Sequence, residues 1–235
     1  MITTVLFDLD GTLLPMDQEV FTKSYFRHLT AKLAPHGYDP KALIGGIWTG
    51  TEAMVRNDGS RSNEAAFWDR LAELLGEGVR ADEPLFADFY ANEFQRVRGD
   101  CGFTPRAAET VRAVRARGFR TALATNPIFP AIATESRIRW AGLEPEEFEL
   151  RTTYENSSYC KPNPDYYRDI ARRLGVREEE CVMIGNDATE DLAARETGME
   201  VFLLTDCLIN KHGRDIEKIP HGDFDALAEY LEKLK

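Results

Sequence analysis

The sequence predicts an α/β protein with a Rossmann-like parallel sheet and an all-helical segment inserted after the first strand. Short apolar runs alternate with helix-periodic stretches over most of the chain, the pattern of parallel strands joined by helical crossovers. The stretch from about 15 to 100 departs from it, being helix-periodic with almost no β-branched alternating run. Outside that stretch, four polar clusters fall at or just beyond the carboxyl ends of apolar runs, where open α/β sheets gather their ligands.

The first run, Ile2 to Phe7, has little polar interruption and reads as a strand buried on both faces. Helices are expected at roughly 17–35, 40–57, 62–76 and 82–98. Phe21, Tyr25, Leu29 and Leu33 recur every fourth residue, and Trp68, Leu71, Leu74 and Leu75 form a similar stripe. Leu85, Phe86, Phe89, Tyr90 and Phe94 mark the fourth helix. Breaks at Pro35–Pro40 and Asn57–Ser60 have turn chemistry, and Gly99–Gly102 reads as the returning linker. Thr104 and Pro105 then suit a helix N-cap and first position, with Gly118 at its end.

A strand over 119–125 follows, then a helix at about 130–141 and a short strand near 148–153. A polar loop from Tyr154 to Lys161 precedes a helix that begins at Pro162-Asn163-Pro164 and ends at Gly175. Cys181–Gly185 is a fourth strand, followed by a helix to about Thr197, and Glu200–Leu204 is a fifth. Leu227, Tyr230, Leu231 and Leu234 belong to a terminal helix. The expected division is a core of 1–14 with 101–235 and a helical unit of 15–100, long enough to hold its own core.

The formal net charge of −11 argues against nucleic acid and anionic membranes as partners. It also means that an anionic substrate must be met by local cations, for which a divalent metal and one lysine would serve. No apolar run approaches the ~18 residues of a membrane span. Met1 to Thr4 shows no basic export region, and the cysteines at 101, 160, 181 and 207 form no C-x-x-C pair. The expectation is a cytoplasmic protein with reduced thiols.

Each polar cluster has a plain reading beside a functional one. Asp8 and Asp10, two apart in an extended chain, point the same way, and Gly11 permits a sharp turn after them. One carboxylate could act as nucleophile or metal ligand and the other as proton donor and acceptor, or the pair could simply form an Asx turn. Thr125 and Asn126 could donate hydrogen bonds to a phosphate oxygen, or open a Thr-Asn-Pro turn. Lys161, before Pro162-Asn163-Pro164, could offer an ammonium to phosphate, or be solvated. Asp187 and Asp191, four apart, could cap a helix or hold a hard cation such as Mg²⁺. Four such clusters at four strand ends are better explained by one site than by four coincidences.

These stretches, Asp8-x-Asp10-Gly11-Thr12, Thr125, Lys161 and Gly185-Asn186-Asp187-x-x-x-Asp191, resemble in order the four motifs of the haloacid dehalogenase-like (HAD) superfamily. The usual Gly-Asp of the fourth motif is here Gly-Asn-Asp. The resemblance implies a Mg²⁺-dependent phosphatase of a small phosphorylated metabolite, working through an aspartyl-phosphate on Asp8. It implies that Asp10 protonates the leaving oxygen and then activates water, and that Thr125 and Lys161 hold the phosphoryl group. The metal would bind Asp8, the Asp10 carbonyl and Asp187, with Asp191 ligating or orienting. Dehalogenases, phosphonatases and ion-pumping ATPases of the superfamily lack an acid at the position of Asp10. The placement of 15–100 resembles a C1-type cap, on which Arg56, beside the Asn57–Gly59 loop, is the leading candidate for substrate contact, ahead of Lys23, Trp48 and Arg61. A phosphomutase with the same motifs is the nearest alternative, and a catalytically silent binding protein is a third.

Overall fold

The structure, a computed structural model, describes residues 1–234. Six parallel strands form one sheet: β1 (Thr4–Phe7), β2 (Arg120–Leu123), β3 (Leu150–Arg151), β4 (Cys181–Gly185), β5 (Glu200–Leu204) and β6 (His221–Gly222), in the order β3-β2-β1-β4-β5-β6. The central strand β1 pairs with β2 and β4, Phe7 lying opposite Leu123 on one side and Ile184 on the other. The strand order reverses on either side of β1, which places its carboxyl end at the switch point where such sheets bind ligands.

Alternation along the strands divides the core. Val5, Phe7, Val182, Ile184, Phe202 and Leu204 belong to one apolar cluster, which extends into the helices on that face and into the inserted segment. Leu6, Ala122, Met183, Val201 and Leu203 belong to the other, packed on Tyr166, Tyr167, Ile170 and Leu174. Both faces are covered, which explains why the strands read as continuous apolar runs.

Between β1 and β2 come α1 (Gln18–Leu33), α2 (Pro40–Val55), α3 (Asn63–Leu75), α4 (Glu83–Ala91) and α5 (Pro105–Ala116). Asp17, Asp39, Ser62 and Thr104 cap α1, α2, α3 and α5 through side-chain oxygens that accept backbone N–H groups. Helices α2 and α3 pack closely because α2 presents Gly46 and Gly50, where an added Cβ would come within 2.8 Å of Leu71 and 2.7 Å of Phe67. The segment leaves and rejoins the sheet along neighbouring chains, where Gly102 N–H donates to the Pro15 carbonyl at 2.7 Å. Later in the chain are α6 (Ala131–Trp140), α7 (Pro164–Leu174) and α8 (Phe224–Glu232).

The structure departs from the sequence reading at several edges. The fourth helix stops at Ala91, and 93–100 winds as a 3₁₀ segment. Asn92 turns its amide back onto the Asp88 carbonyl and carboxylate, competing with the helical ladder. Residues 191–197 are likewise 3₁₀ instead of α. The expected strand at 148–153 shortens to two residues, and β6 is an additional two-residue strand too short for any periodicity to announce. No described helix is long and apolar enough to cross a membrane.

Candidate active site

The chain turns sharply after β1. Asp8 N–H extends the ladder to the Ile184 carbonyl at 2.9 Å, and Gly11, at φ +88°, lets its own N–H donate to Leu14 at 2.8 Å. A Cβ at Gly11 would also lie 2.3 Å from the Asn186 amide nitrogen, so two loops meet at this point. The Thr12 hydroxyl lies 3.0 Å from Asp8 Oδ2 and 3.1 Å from Asn186 Oδ1, and Asn186 donates to the Cys207 carbonyl at 2.7 Å. Asn186 thereby ties the turn after β1 to the segments after β4 and β5.

Lys161 is 1 % exposed, and its Nζ bridges Asp8 Oδ1 at 2.9 Å and Asp191 Oδ1 at 2.7 Å. The second Asp191 oxygen accepts the Asp187 N–H at 2.9 Å. Asp187 Oδ1 in turn accepts from Thr189 and Glu190 N–H. Burial alone would lower the Lys161 ammonium, but the Asp191 and Asp8 carboxylates outweigh it and hold it well above the ordinary lysine value. Burial pushes the Asp8 carboxyl up to about 7, because the pull of Lys161 does not offset desolvation and the nearby Asp191 and Asp10 charges. Burial also raises Glu190 to about 7. This end of the sheet thus holds more carboxylate than its one buried ammonium balances.

Asp10 is held differently. One oxygen is bound by Arg137, a fully buried arginine of α6 whose guanidinium also lies 4.4 Å from the centre of the Phe129 ring. The other, Oδ1, is buried and has no partner. Thr125 is buried just beyond β2, its carbonyl fixed at 2.7 Å by both the Thr152 and Tyr166 hydroxyls. Asn126 donates to Glu190 at 3.1 Å, and its Oδ1 is likewise buried without a partner.

Asp8, Asp10, Thr125, Asn126, Asp187 and Asp191 all line a single cavity of about 500 Å³ between the strand ends and the helical segment. Gly11 shapes the turn and Lys161 lies beneath Asp8, both off the cavity wall. Arg56 is not brought there: its exposed side chain pairs with Glu52, one turn back on α2, at 2.6 Å. Lys23 and Arg61 are also taken up by acids, Glu19 and Asp69, whereas Trp48 does line the cavity. Cys160 is buried, and burial pushes its thiol up to about 12, leaving no thiolate for chemistry.

Sequence reasoning assigned no role to Arg137, Asn186, Glu190 or Lys211. Arg137 left a signal, since Ala133, Thr134, Ile138 and Ala141 make the i, i+3, i+4 pattern of a buried face on which an arginine is out of place. The carboxylates also bear on metal binding. Among the described residues no three acidic, His or Cys side chains form a closed cage for an ion. Mg²⁺ characteristically takes only one or two carboxylates, completing its shell with water and other oxygens. Asp8 and Asp187 on one wall are a carboxylate pair of that kind, leaving the rest of the shell to water and other oxygens.

Comparison with known proteins agrees with this geometry. Residues 2–198 match the family profile described as haloacid dehalogenase-like hydrolase. A phosphoglycolate phosphatase of Colwellia psychrerythraea is 28 % identical over 98 % of this chain and 96 % of its own. A pyrophosphatase of Halalkalibacterium halodurans is 26 % identical over 86 % of this chain and 83 % of its own. Among solved structures, a 2-haloacid dehalogenase of Pseudomonas syringae superposes with a TM-score of 0.63 at 21 % identity, covering 99 % of both chains, a likeness of fold alone.

Proposed function

The chain belongs to the haloacid dehalogenase-like hydrolases, and from that premise we propose that it is a Mg²⁺-dependent phosphatase of a small phosphorylated metabolite. The observation that most supports this is the convergence of Asp8, Asp10, Thr125, Asn126 and Asp187 on one cavity, with Lys161 locked beneath Asp8. The phosphatases among its relatives support the same reading.

In this proposal Asp8 attacks phosphorus, the bond from phosphorus to the ester oxygen breaks, and an aspartyl-phosphate forms. Asp10, oriented by Arg137, gives its proton to the leaving oxygen and then takes one from the water that hydrolyses the acyl phosphate. Thr125 and Asn126 position the phosphoryl oxygens. Lys161 holds Asp8 in place and sets positive charge beneath the reacting group. Asp8, the Asp10 carbonyl and Asp187 would hold Mg²⁺, with Asp191 orienting Asp187 and Lys161 from behind. When bound, the ion supplies the positive charge that lets an anionic phosphate meet a carboxylate in this acidic protein. Residues 15–100 form a cap over a core of 1–14 and 101–235, excluding water while the intermediate stands.

The test is inorganic phosphate release from a panel of phosphomonoesters with Mg²⁺, with Asp8→Asn protein as the blank. Release above that blank, abolished by EDTA and restored by Mg²⁺, is the expected result. No release from any ester would overturn the proposal.

A further inference from the structure

The cavity wall away from the aspartates has a charge pattern that constrains the alcohol half of the substrate. Glu64 of α3, Glu83 of α4 and Glu155, in the loop after β3, all line it. None of the three makes an ion pair among the described residues. The Glu155 carboxylate accepts the Ala131 N–H at 2.8 and 3.1 Å, which fixes it at the start of α6. Glu64 is tied to the same loop, its backbone N–H donating to the Tyr154 carbonyl at 2.9 Å. Burial, with Glu155 and Glu83 as neighbours, raises the Glu64 carboxyl. The one lysine or arginine on the described wall is Lys211, in the loop after β5, two residues beyond Ile209, which bridges to Asp187 at the phosphate end.

The same wall is rich in aromatic rings. The Trp68 indole N–H, on a side chain 6 % exposed, is turned to the Tyr154 hydroxyl, and both rings line this wall. Around it stand aromatic rings, among them Phe86 at 5.3 Å and Tyr154. Such faces suit a cation that carboxylates also attract.

We infer that the preferred substrate is a phosphorylated amino alcohol. Its ammonium lies among Glu64, Glu83, Glu155 and the aromatic rings, and it carries no second acid. This rests on the phosphatase reading and adds to it. A carboxylate in the alcohol half would face three carboxylates that are in no ion pair among the described residues, which disfavours an acid such as phosphoglycolate as substrate.

The experiment compares three matched esters, 4-(aminomethyl)benzyl, 4-methylbenzyl and 4-carboxybenzyl phosphate, by kcat/KM with Mg²⁺ on the full chain and by calorimetric binding to Asp8→Asn protein. The amine should exceed the carboxylate by about 30-fold or more, with the neutral ester between them. Glu64→Gln, and separately the exposed Glu83→Gln, should each narrow that ratio about fivefold. Turnover with the carboxylate ester equal or preferred overturns the charge assignment and leaves the phosphatase standing. Binding that favours the amine without turnover of any ester removes the phosphatase and keeps the charge assignment. Neither binding nor turnover overturns both.

Discussion

The two ends of the cavity contain similar residue types and treat them in opposite ways. At the strand ends, Asp8 and Asp191 share a buried ammonium and Asp10 shares a buried guanidinium. At the helical end, Glu64, Glu83 and Glu155 line the cavity beside aromatic rings, and none of them is in an ion pair among the described residues. The first end carries cations of its own and holds its geometry before substrate arrives. The second is completed only by what enters it. Catalytic positioning and substrate choice are thereby divided between two surfaces of one pocket, and a change in one need not disturb the other.

The largest expected effect sits at the strand end. Asp8→Asn should lower kcat/KM by at least about 10³-fold with the fold retained. Activity within tenfold of wild type would show that Asp8 is not the nucleophile. Next, Lys161→Met removes the cation shared by two buried carboxylates and should cost about 3–5 kcal/mol in urea unfolding. A loss below ~1 kcal/mol would make the two ends alike, which the comparison forbids.

A third test uses pH on the metal-free protein. The folded Asp8 carboxyl is raised to about 7, so the folded state favours its protonated form. That contribution is full below the ordinary carboxylate range of about 4 and is lost as pH rises through about 7. Asp8→Asn removes the titration, so its Tm relative to wild type should be higher at pH 8 than at pH 5, by about 2–4 °C for each kcal/mol released. An unchanged difference would mean that Asp8 does not change protonation between pH 5 and pH 8. The smallest effect belongs to the helical end and has the opposite sign to Lys161→Met. Glu64→Gln removes like charge beside Glu155 and Glu83 and should stabilise the ligand-free protein by about 0.5 kcal/mol in the same unfolding assay.

The difference between the ends also explains what was readable in advance. Asp8 and Asp187 follow strands with nearly unbroken apolar runs and Thr125 follows Ala122-Leu123-Ala124, and parallel topology then brings the strand ends together. The sheet, its helical crossovers and the inserted helices are legible for the same reason, because each is a local periodicity. The helical end has no such rule. Trp68, Phe86 and Tyr154 come from three separate segments, and each alone is an ordinary core aromatic. Arg56 lies near a loop in sequence, but its position just after the C-terminal end of α2 directs it to Glu52. The two-residue strand β6 and the 3₁₀ turns at 93–100 and 191–197 rest on hydrogen bonds that no periodicity encodes.

The contact between Arg137 and Asp10 has a consequence for how mutational data on this protein are scored. Arg137 is fully buried, whereas the Asp10 side chain keeps 22 % of its surface exposed. Replacing Asp10 by alanine therefore strands a guanidinium in the interior, at about 3–5 kcal/mol, against a total stability of about 5–15 kcal/mol for a typical domain. For a wild type near the lower end of that range, a preparation of Asp10→Ala would mix unfolded molecules with folded ones that lack the proposed proton donor, and bulk activity would report their sum. In a growth-based scan the same residue pair would be filed under abundance, and the arginine that orients the site's acid would pass for a packing residue. Counting folded molecules in the same tube, for instance by active-site titration or hydrogen exchange, separates the two populations.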